Sequence, residues 1–307
     1  MDRIKVFSPG SITNLSCGYD VLGVCLEKRG DEIEVHKTIS KGIEIESIDS
    51  YNISNNIDEN VAGIAAQAML KNIDIDFGFK IIINKGIKPG SGIGSSAASS
   101  AGTVYAINQL LNSHFDNLDL VRFSMEGENF VSGSYHADNV APIILGGITL
   151  VRSISDLDII KLPSPKSLEV IIIRPNIEIK TSDSRRVVKK KVKIEKMVQQ
   201  SANLGAFISS LYSEDFELMS RSVVDEVVEP DRSMLIPEFE SIKKISTESG
   251  ALSCGISGSG PSIFALSNNS DTSKIILNNI CRHLDQVRID YDSFISKVNS
   301  KGIKILD

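Results

Sequence analysis

Tryptophan is absent from this 307-residue chain, and histidine and cysteine occur four times each. The cysteines, at 17, 25, 254 and 281, form no C-x-x-C pair and are too few for a disulfide scaffold at this length, which points to reduced thiols. No metal-ligand spacing surrounds any histidine, which argues against zinc. No apolar run approaches the ~20 residues of a membrane span, and Pro9 breaks the N-terminal segment before a signal region can form. No membrane partner is therefore expected, and the expected location is the cytoplasm. Positive charge is not in excess either: 33 Lys and Arg against 39 Asp and Glu leave a net charge of −6, which argues against nucleic acid as a partner. The one basic run, Lys189-Lys190-Lys191-Val192-Lys193, reads as a solvated helix face or loop.

What is present is an ordinary folded composition, 41% hydrophobic and 23% charged. The length suits two domains, with a soft boundary that divides the chain into residues 1–155 and 156–307. Strand patterns run over residues 3–7, 32–36, 43–48 and 79–84, and helical periodicity over 61–70, 96–111 and 118–130. Residues 143–151 read as a buried strand. After a polar break near 153–158 the pattern predicts strands at 168–174, 252–257 and 262–265, and helices at 194–212, 216–224, 239–249 and 273–284. Both halves are α+β, and a cleft between them is the expected site.

Between the strand ending at Asn84 and the helix from Ser96 lies Lys85-Gly-Ile-Lys-Pro-Gly-Ser-Gly-Ile-Gly-Ser-Ser-Ala98. Glycines alternate at 90, 92 and 94. Without Cβ atoms the backbone there can take positive φ and aim successive N–H groups at an oxyanion. The following helix adds unsatisfied N–H groups and a partial positive charge of roughly half an elementary unit, which suits a di- or triphosphate. Small residues Ala97 to Ser100 allow close approach, and the Ser95 and Ser96 hydroxyls can bond phosphate or enter a Mg²⁺ shell. The loop is neither a Walker loop, which needs Lys after the last glycine, nor a dinucleotide fingerprint, which needs Gly at position 95. A helix N-cap after a connector would need only one glycine and one serine.

The run Pro89-Gly-Ser-Gly-Ile-Gly-Ser-Ser-Ala-Ala98 resembles the nucleotide loop of the GHMP kinases, the superfamily of galactokinase, homoserine kinase, mevalonate kinase and phosphomevalonate kinase. Ser8-Pro-Gly-Ser-Ile-Thr-Asn-Leu-Ser-Cys-Gly-Tyr-Asp-Val-Leu-Gly23 resembles its first motif and Gly255-Ile-Ser-Gly-Ser-Gly-Pro-Ser262 its third, in the family's order. Within the superfamily, His136-Ala-Asp-Asn-Val-Ala-Pro142, Thr181 with Arg185, and Glu229-Pro-Asp-Arg232 resemble segments of the homoserine kinases. Departures are Thr13, Ser16 and Tyr19 where the first motif usually carries Ala, Gly and Phe, and the lysine run in place of a Leu-Pro pair.

The resemblance implies a two-domain α+β fold, an N-terminal domain like ribosomal protein S5 domain 2 and a C-terminal ferredoxin-like domain. It implies ATP and Mg²⁺, L-homoserine as acceptor on the way to threonine, and a homodimer. Asn60, Pro89, Gly90, Ser91, Gly92, Ile93, Gly94, Ser95 and Ser96 are the implied nucleotide contacts, with Ser96 and Glu128 as metal ligands. Glu128 alone would read as a surface carboxylate and Asn60 as a helix cap. Asn14, Asp20, His136, Asp138, Asn139, Thr181, Arg185 and Arg232 are the implied acceptor contacts. The arginines suit the carboxylate, because a guanidinium grips it with two parallel bonds, and Asp20 and Asp138 suit the ammonium. His136 orients substrate or caps its turn. Asn139, with Asp20 and Glu128, forms the implied catalytic set, Asn139 positioning the hydroxyl in place of a strong base. The other readings are a kinase of the same fold for mevalonate or shikimate, and a catalytically silent ligand sensor, against which the Ser96 and Glu128 pair argues.

Overall fold

The computed structural model describes residues 1–48, 51–177, 179 and 181–306. The first half runs β1 (Arg3–Asn14), β2 (Gly18–Thr38), β3 (Gly42–Ser47), α1 (Val61–Leu70), β4 (Gly78–Asn84), α2 (Ser95–Leu110), α3 (Asn117–Ser132), α4 (Val140–Leu145), β5 (Ile148–Ser153) and β6 (Asp158–Leu162). The second runs β7 (Glu169–Pro175), α5 (Thr181–Arg186), α6 (Ile194–Ser213), α7 (Phe216–Ser222), α8 (Glu229–Arg232), α9 (Phe239–Glu248), β8 (Ser253–Ile256), β9 (Ile263–Ser267), α10 (Ser270–Gln286), β10 (Tyr291–Lys297) and β11 (Lys304–Ile305).

A seven-stranded sheet carries β11, β1, β2, β4 and β3 in that order, with β5 paired to β2 and β6 to β5. Its pairs are antiparallel except β3 with β4. β4 alternates as its sequence requires: Phe79, Ile81 and Ile83 point into the core opposite the buried Ile33 and Val35 of β2. The helix α2 lies against β1 and β2 because its inner face is made of alanine, serine and glycine. The second sheet, in the order β10, β7, β9, β8, is antiparallel throughout. β7 is buried on both faces. Val170 and Ile172 join the core of the first sheet, while Ile171 and Ile173 pack with Phe239 and Ile242 of α9 and Ile276, Ile280 and Leu284 of α10.

The helices at 61–70, 96–111 and 118–130 stand within two residues of expectation, but two readings are corrected. Residues 143–151 are not one strand. They hold the end of α4, a break at Gly146 and Gly147 with φ of 73° and 78°, and most of β5. A run buried on every side has no periodicity to separate helix from strand. The strands read at 3–7 and 32–36 are pieces of strands of 12 and 21 residues. The boundary expected near 155 falls inside the β5–β6 hairpin, and β11 returns to the first sheet, so that sheet takes strands from both sides of it. Among the described residues no helix is long and apolar enough to cross a membrane.

Candidate active site

One cavity of 480 Å³ lies where the loop before α2 meets α3, α5, α8 and the turn at 258–259. Its walls include Asn14, Asp20, Asn60, Pro89, Gly90, Ser91, Gly92, Gly94, Ser95, Ser96, Glu128, His136, Asp138, Asn139, Arg185 and Arg232, and an apolar stretch at Ile53, Val61, Phe130 and Val131. Of the nucleotide and acceptor contacts named from sequence whose side chains are described, Ile93 alone is not among its wall residues. Ile93 is turned into the hydrophobic core. Thr181 opens α5, and its side chain lies outside the described ones.

The loop is built as its glycines predict. Gly90, Gly92 and Gly94 all take positive φ, at 69°, 79° and 70°. Gly94 caps α2 without any side-chain bond, so the first N–H groups of the helix are left to a ligand. The Ser91 hydroxyl is buried and unpartnered on the same wall. The Ser95 hydroxyl is not available to phosphate, since it donates to the Ile87 carbonyl at 2.9 Å and closes the loop on itself.

Behind the loop stands an ion pair that the sequence reading did not find. Lys85 Nζ meets Asp31 Oδ2 at 2.5 Å, with both side chains buried, and also donates to the Ser95 carbonyl at 2.8 Å and the Ser99 hydroxyl at 2.9 Å. Asp31 Oδ1 accepts the N–H groups of Gly86 and Ile87, at 3.1 and 3.3 Å. One carboxylate thus fixes where the loop leaves β4, and one ammonium fixes where it enters α2. From the front, the turn at 255–262 presses on the loop as its glycine density suggests: Ser257 donates to the Gly92 carbonyl and Ser262 to that of Ser91, each at 2.6 Å. A Cβ on Gly92 would stand 2.6 Å from the Gly260 carbonyl oxygen, so only glycine fits there.

Glu128, on α3, is buried with Oε1 lacking a hydrogen-bond partner. Burial raises its pKa, while a hydrogen bond with Ser96 and the charge of Lys85 oppose the rise. A buried carboxylate with an open oxygen beside a serine hydroxyl is a fit for Mg²⁺, a hard cation that keeps several waters and takes few protein oxygens.

The acceptor side is polar. Asp20, in the left-handed region at φ 58°, takes both terminal nitrogens of Arg185, at 3.2 and 3.4 Å, and its N–H is held by Asn14 Oδ1 at 3.0 Å. His136 Nδ1 lies 4.0 Å from Asp20, and both ring nitrogens are buried without hydrogen-bond partners. Burial lowers the His136 pKa against the pull of Asp20. Asp138 is pushed up to about 7, first by burial and then by the charges of Asp20 and Glu128. Asn139 holds the Ser11 hydroxyl on Oδ1 at 2.8 Å, beside Gly94. These residues precede the helix α4, not the strand expected. Asn60 spends its side chain on the fold, accepting from Ala62 N–H and donating to the Ser54 carbonyl, so the capping alternative is filled.

Arg232 is buried in α8. It donates to the carbonyls of Ser184 and Gly258, both at 3.1 Å, lies over the Tyr19 ring, and makes no ion pair among the described residues. The lysine run is not wholly solvated either, because Lys189 pairs with Asp231 at 2.7 Å and so ties the loop after α5 to α8. Tyr19 and Ser11 lay inside the first motif and Lys85 at the head of the loop, so the signal for them was in the motifs. Asp31 had none.

Two family models match the chain, GHMP kinases N terminal domain over residues 60–147 and GHMP kinases C terminal over residues 207–286. A protein named homoserine kinase from Methanococcus maripaludis strain C5 is 41% identical over 269 residues, covering 87% of this chain and 88% of its own. Another so named, from Chlorobium phaeobacteroides strain BS1, is 34% identical over 320 residues and covers both chains completely. The crystal structure of homoserine kinase from Cytophaga hutchinsonii superposes with a TM-score of 0.96 at 42% identity, covering 100% of this chain and 98% of that one. Leishmania major mevalonate kinase, at 16% identity and a TM-score of 0.71 over 96% of each chain, shares the fold.

Proposed function

The chain belongs to the GHMP kinases, and from that membership we propose that it transfers the γ-phosphoryl group of ATP to the side-chain hydroxyl of L-homoserine, releasing ADP and O-phospho-L-homoserine. It is a phosphotransferase with an alcohol acceptor, the activity its full-length relatives are named for. The observation that carries the acceptor is the Asp20–Arg185 pair beside the phosphate loop. A zwitterionic head group can replace each partner for the other, its ammonium going to Asp20 and its carboxylate to Arg185, which an acceptor that lacks an ammonium, as mevalonate and shikimate do, cannot.

The roles follow from that arrangement. The left-handed glycines and the uncapped start of α2 hold the phosphates, with the Ser91 hydroxyl among them. Ser96 and Glu128 would hold Mg²⁺, which when bound neutralises charge on the triphosphate. Arg232, buried without a carboxylate, is the second grip on the acceptor carboxylate. Asp138 supports the ammonium and His136 the acceptor's polar edge. Asn139, locked by Ser11, aims the hydroxyl, and a loose transition state asks for positioning more than for a strong base. Four free cysteines fit a reducing compartment, and we place the enzyme in the cytoplasm.

The test is an acceptor panel read by ADP release. ATP-dependent turnover is expected with L-homoserine, ending on chelation of Mg²⁺ and returning with it. Turnover of mevalonate or shikimate in its place overturns the acceptor, and nucleotide binding without transfer to any acceptor favours the silent sensor.

Asp138 gives a pH signature. Its carboxyl is neutral below about 7 and charged above, so the form that receives an ammonium grows as pH rises through that value. The kcat/KM for homoserine, which reports the free enzyme, is expected to climb across pH 6–8 and then flatten. Bound ammonium favours the carboxylate, so kcat should inflect at lower pH. Asp138→Asn is expected to remove the inflection, and a profile unchanged in that variant assigns it to another group.

A further inference from the structure

A second cavity, about 10 Å³ and so room for about one water, lies behind the acceptor wall. Asn14, Ser16, Asp225, Glu229, Arg232 and Gly258 line it. Two of the oxygens there, Ser16 Oγ and Glu229 Oε2, are buried and have no hydrogen-bond partner, in side chains only 3% and 7% exposed as residues. They flank one point: a Cβ on Gly255 would stand 2.2 Å from Ser16 Oγ and 3.0 Å from Glu229 Oε2, so the two oxygens are no farther apart than the sum of those lengths. That is the span a single bridging molecule closes. The neighbouring polar groups are taken. Glu229 Oε1 receives Lys243, Asp225 receives the N–H groups of Val227, Val228 and Glu229, and Asn14 is held by Gly258 and Asp20.

We propose that Ser16 and Glu229 hold one ordered water in this cavity, and that this bridge positions the 14–16 turn against α8. A burial without partners would cost both oxygens their hydration, and one water satisfies both at little entropic cost. Water fits better than a cation because Arg232 lines the cavity and Lys243 pairs with Glu229, two positive charges that repel one. The turn needs such support. Asn14, Leu15 and Ser16 are consecutive non-glycine residues at φ of 72°, 42° and 55°, a conformation that side chains disfavour. Its position sets Asn14, which carries Asp20, while α8 carries Arg232. Ser16 and Glu229 are positioning residues, acting on the acceptor through Asn14 and Arg232.

A crystal structure at about 1.5 Å resolution is expected to show one water within hydrogen-bond distance of Ser16 Oγ and Glu229 Oε2. An empty cavity, or an ion at the shorter contacts of a bound cation, overturns the proposal. In solution, Ser16→Ala removes one partner of the water without changing the backbone class at position 16. The homoserine KM is then expected to rise roughly threefold to tenfold, with the ATP KM unchanged. Ser16→Gly opens room for a second water in place of the hydroxyl and eases the left-handed turn, and it is expected to keep the homoserine KM within about twofold. Equal rises for both substrates in Ser16→Ala, or no rise for either, overturn the positioning role. The kinetic arm rests on homoserine as the acceptor: a wild-type enzyme that does not turn homoserine over defeats that reading, while diffraction decides the water by itself.

Discussion

Replacing Arg232 with alanine is expected to lower kcat/KM for homoserine about 10²- to 10³-fold while the KM for ATP stays within about threefold, the scale for truncating one partner of a buried charge pair. Arg232 is 3% exposed, and burial first, with the charge of Arg185 beside it, depresses its pKa below the ordinary arginine value against the pull of Tyr19 and Asp20. It donates to two neutral carbonyls and to the Tyr19 hydroxyl and lies over the Tyr19 ring, and among the described residues no carboxylate makes an ion pair with it, Asp20 acting on it only at longer range. An incoming acceptor carboxylate supplies that pair, and its binding is where the loss should fall. The same side chain also ties α5 to the turn at 258, and Gly258 in turn holds Asn14, so part of the effect comes from a loosened acceptor wall. Arg232→Lys separates the two contributions. A lysine keeps the charge but cannot make the three-way fork, and it should recover some of the homoserine kcat/KM without reaching wild type. Steady-state kinetics with each substrate varied in turn decides the matter. Equal losses for ATP and homoserine would sink the carboxylate role, because a grip on the acceptor leaves the phosphate loop untouched.

The phosphate loop was legible from its own residues. Alternating glycines between a strand pattern and a helix pattern state a backbone geometry, and the positive φ at 90, 92 and 94 is that geometry. The acceptor side was not legible in this way. Glu128 on α3 and Arg185 on α5 look in sequence like any charged residue on a helix, and only the resemblance singled them out; burial against a cavity is a property of the folded chain. The Asp31–Lys85 pair was harder still. It joins residues 54 apart in sequence through neighbouring strands β2 and β4, and no local pattern encodes which residue a strand will face. The left-handed Asn14, Leu15 and Ser16 were hidden for a related reason. Non-glycine residues there are held by tertiary bonds such as Asn14 to Gly258, which compensate a local cost that propensity counts against.

That buried pair carries the second large effect. Asp31→Ala leaves Lys85 charged and buried without its counter-ion, and breaking such a pair costs about 3–5 kcal/mol. At this chain length the midpoint of thermal unfolding should fall by roughly 10 °C, read by calorimetry. The ATP KM should rise as well, since the Gly86 and Ile87 N–H groups lose their acceptor and the loop loses its fixed exit from β4. Removing both charges tests whether the pair acts by stability or by geometry. In Asp31→Leu combined with Lys85→Met the desolvation cost of both ions disappears, and stability is expected to return to near the wild-type value, as apolar replacements of buried pairs often do. ATP affinity is not expected to return, because the carboxylate that holds the two N–H groups and the ammonium that holds the Ser95 carbonyl are still missing. A double variant that regains both would reduce the pair to packing. One that regains stability alone shows that Asp31 and Lys85 are kept for the shape they impose on residues 86–95, the stretch where the glycines leave the backbone free to take other shapes.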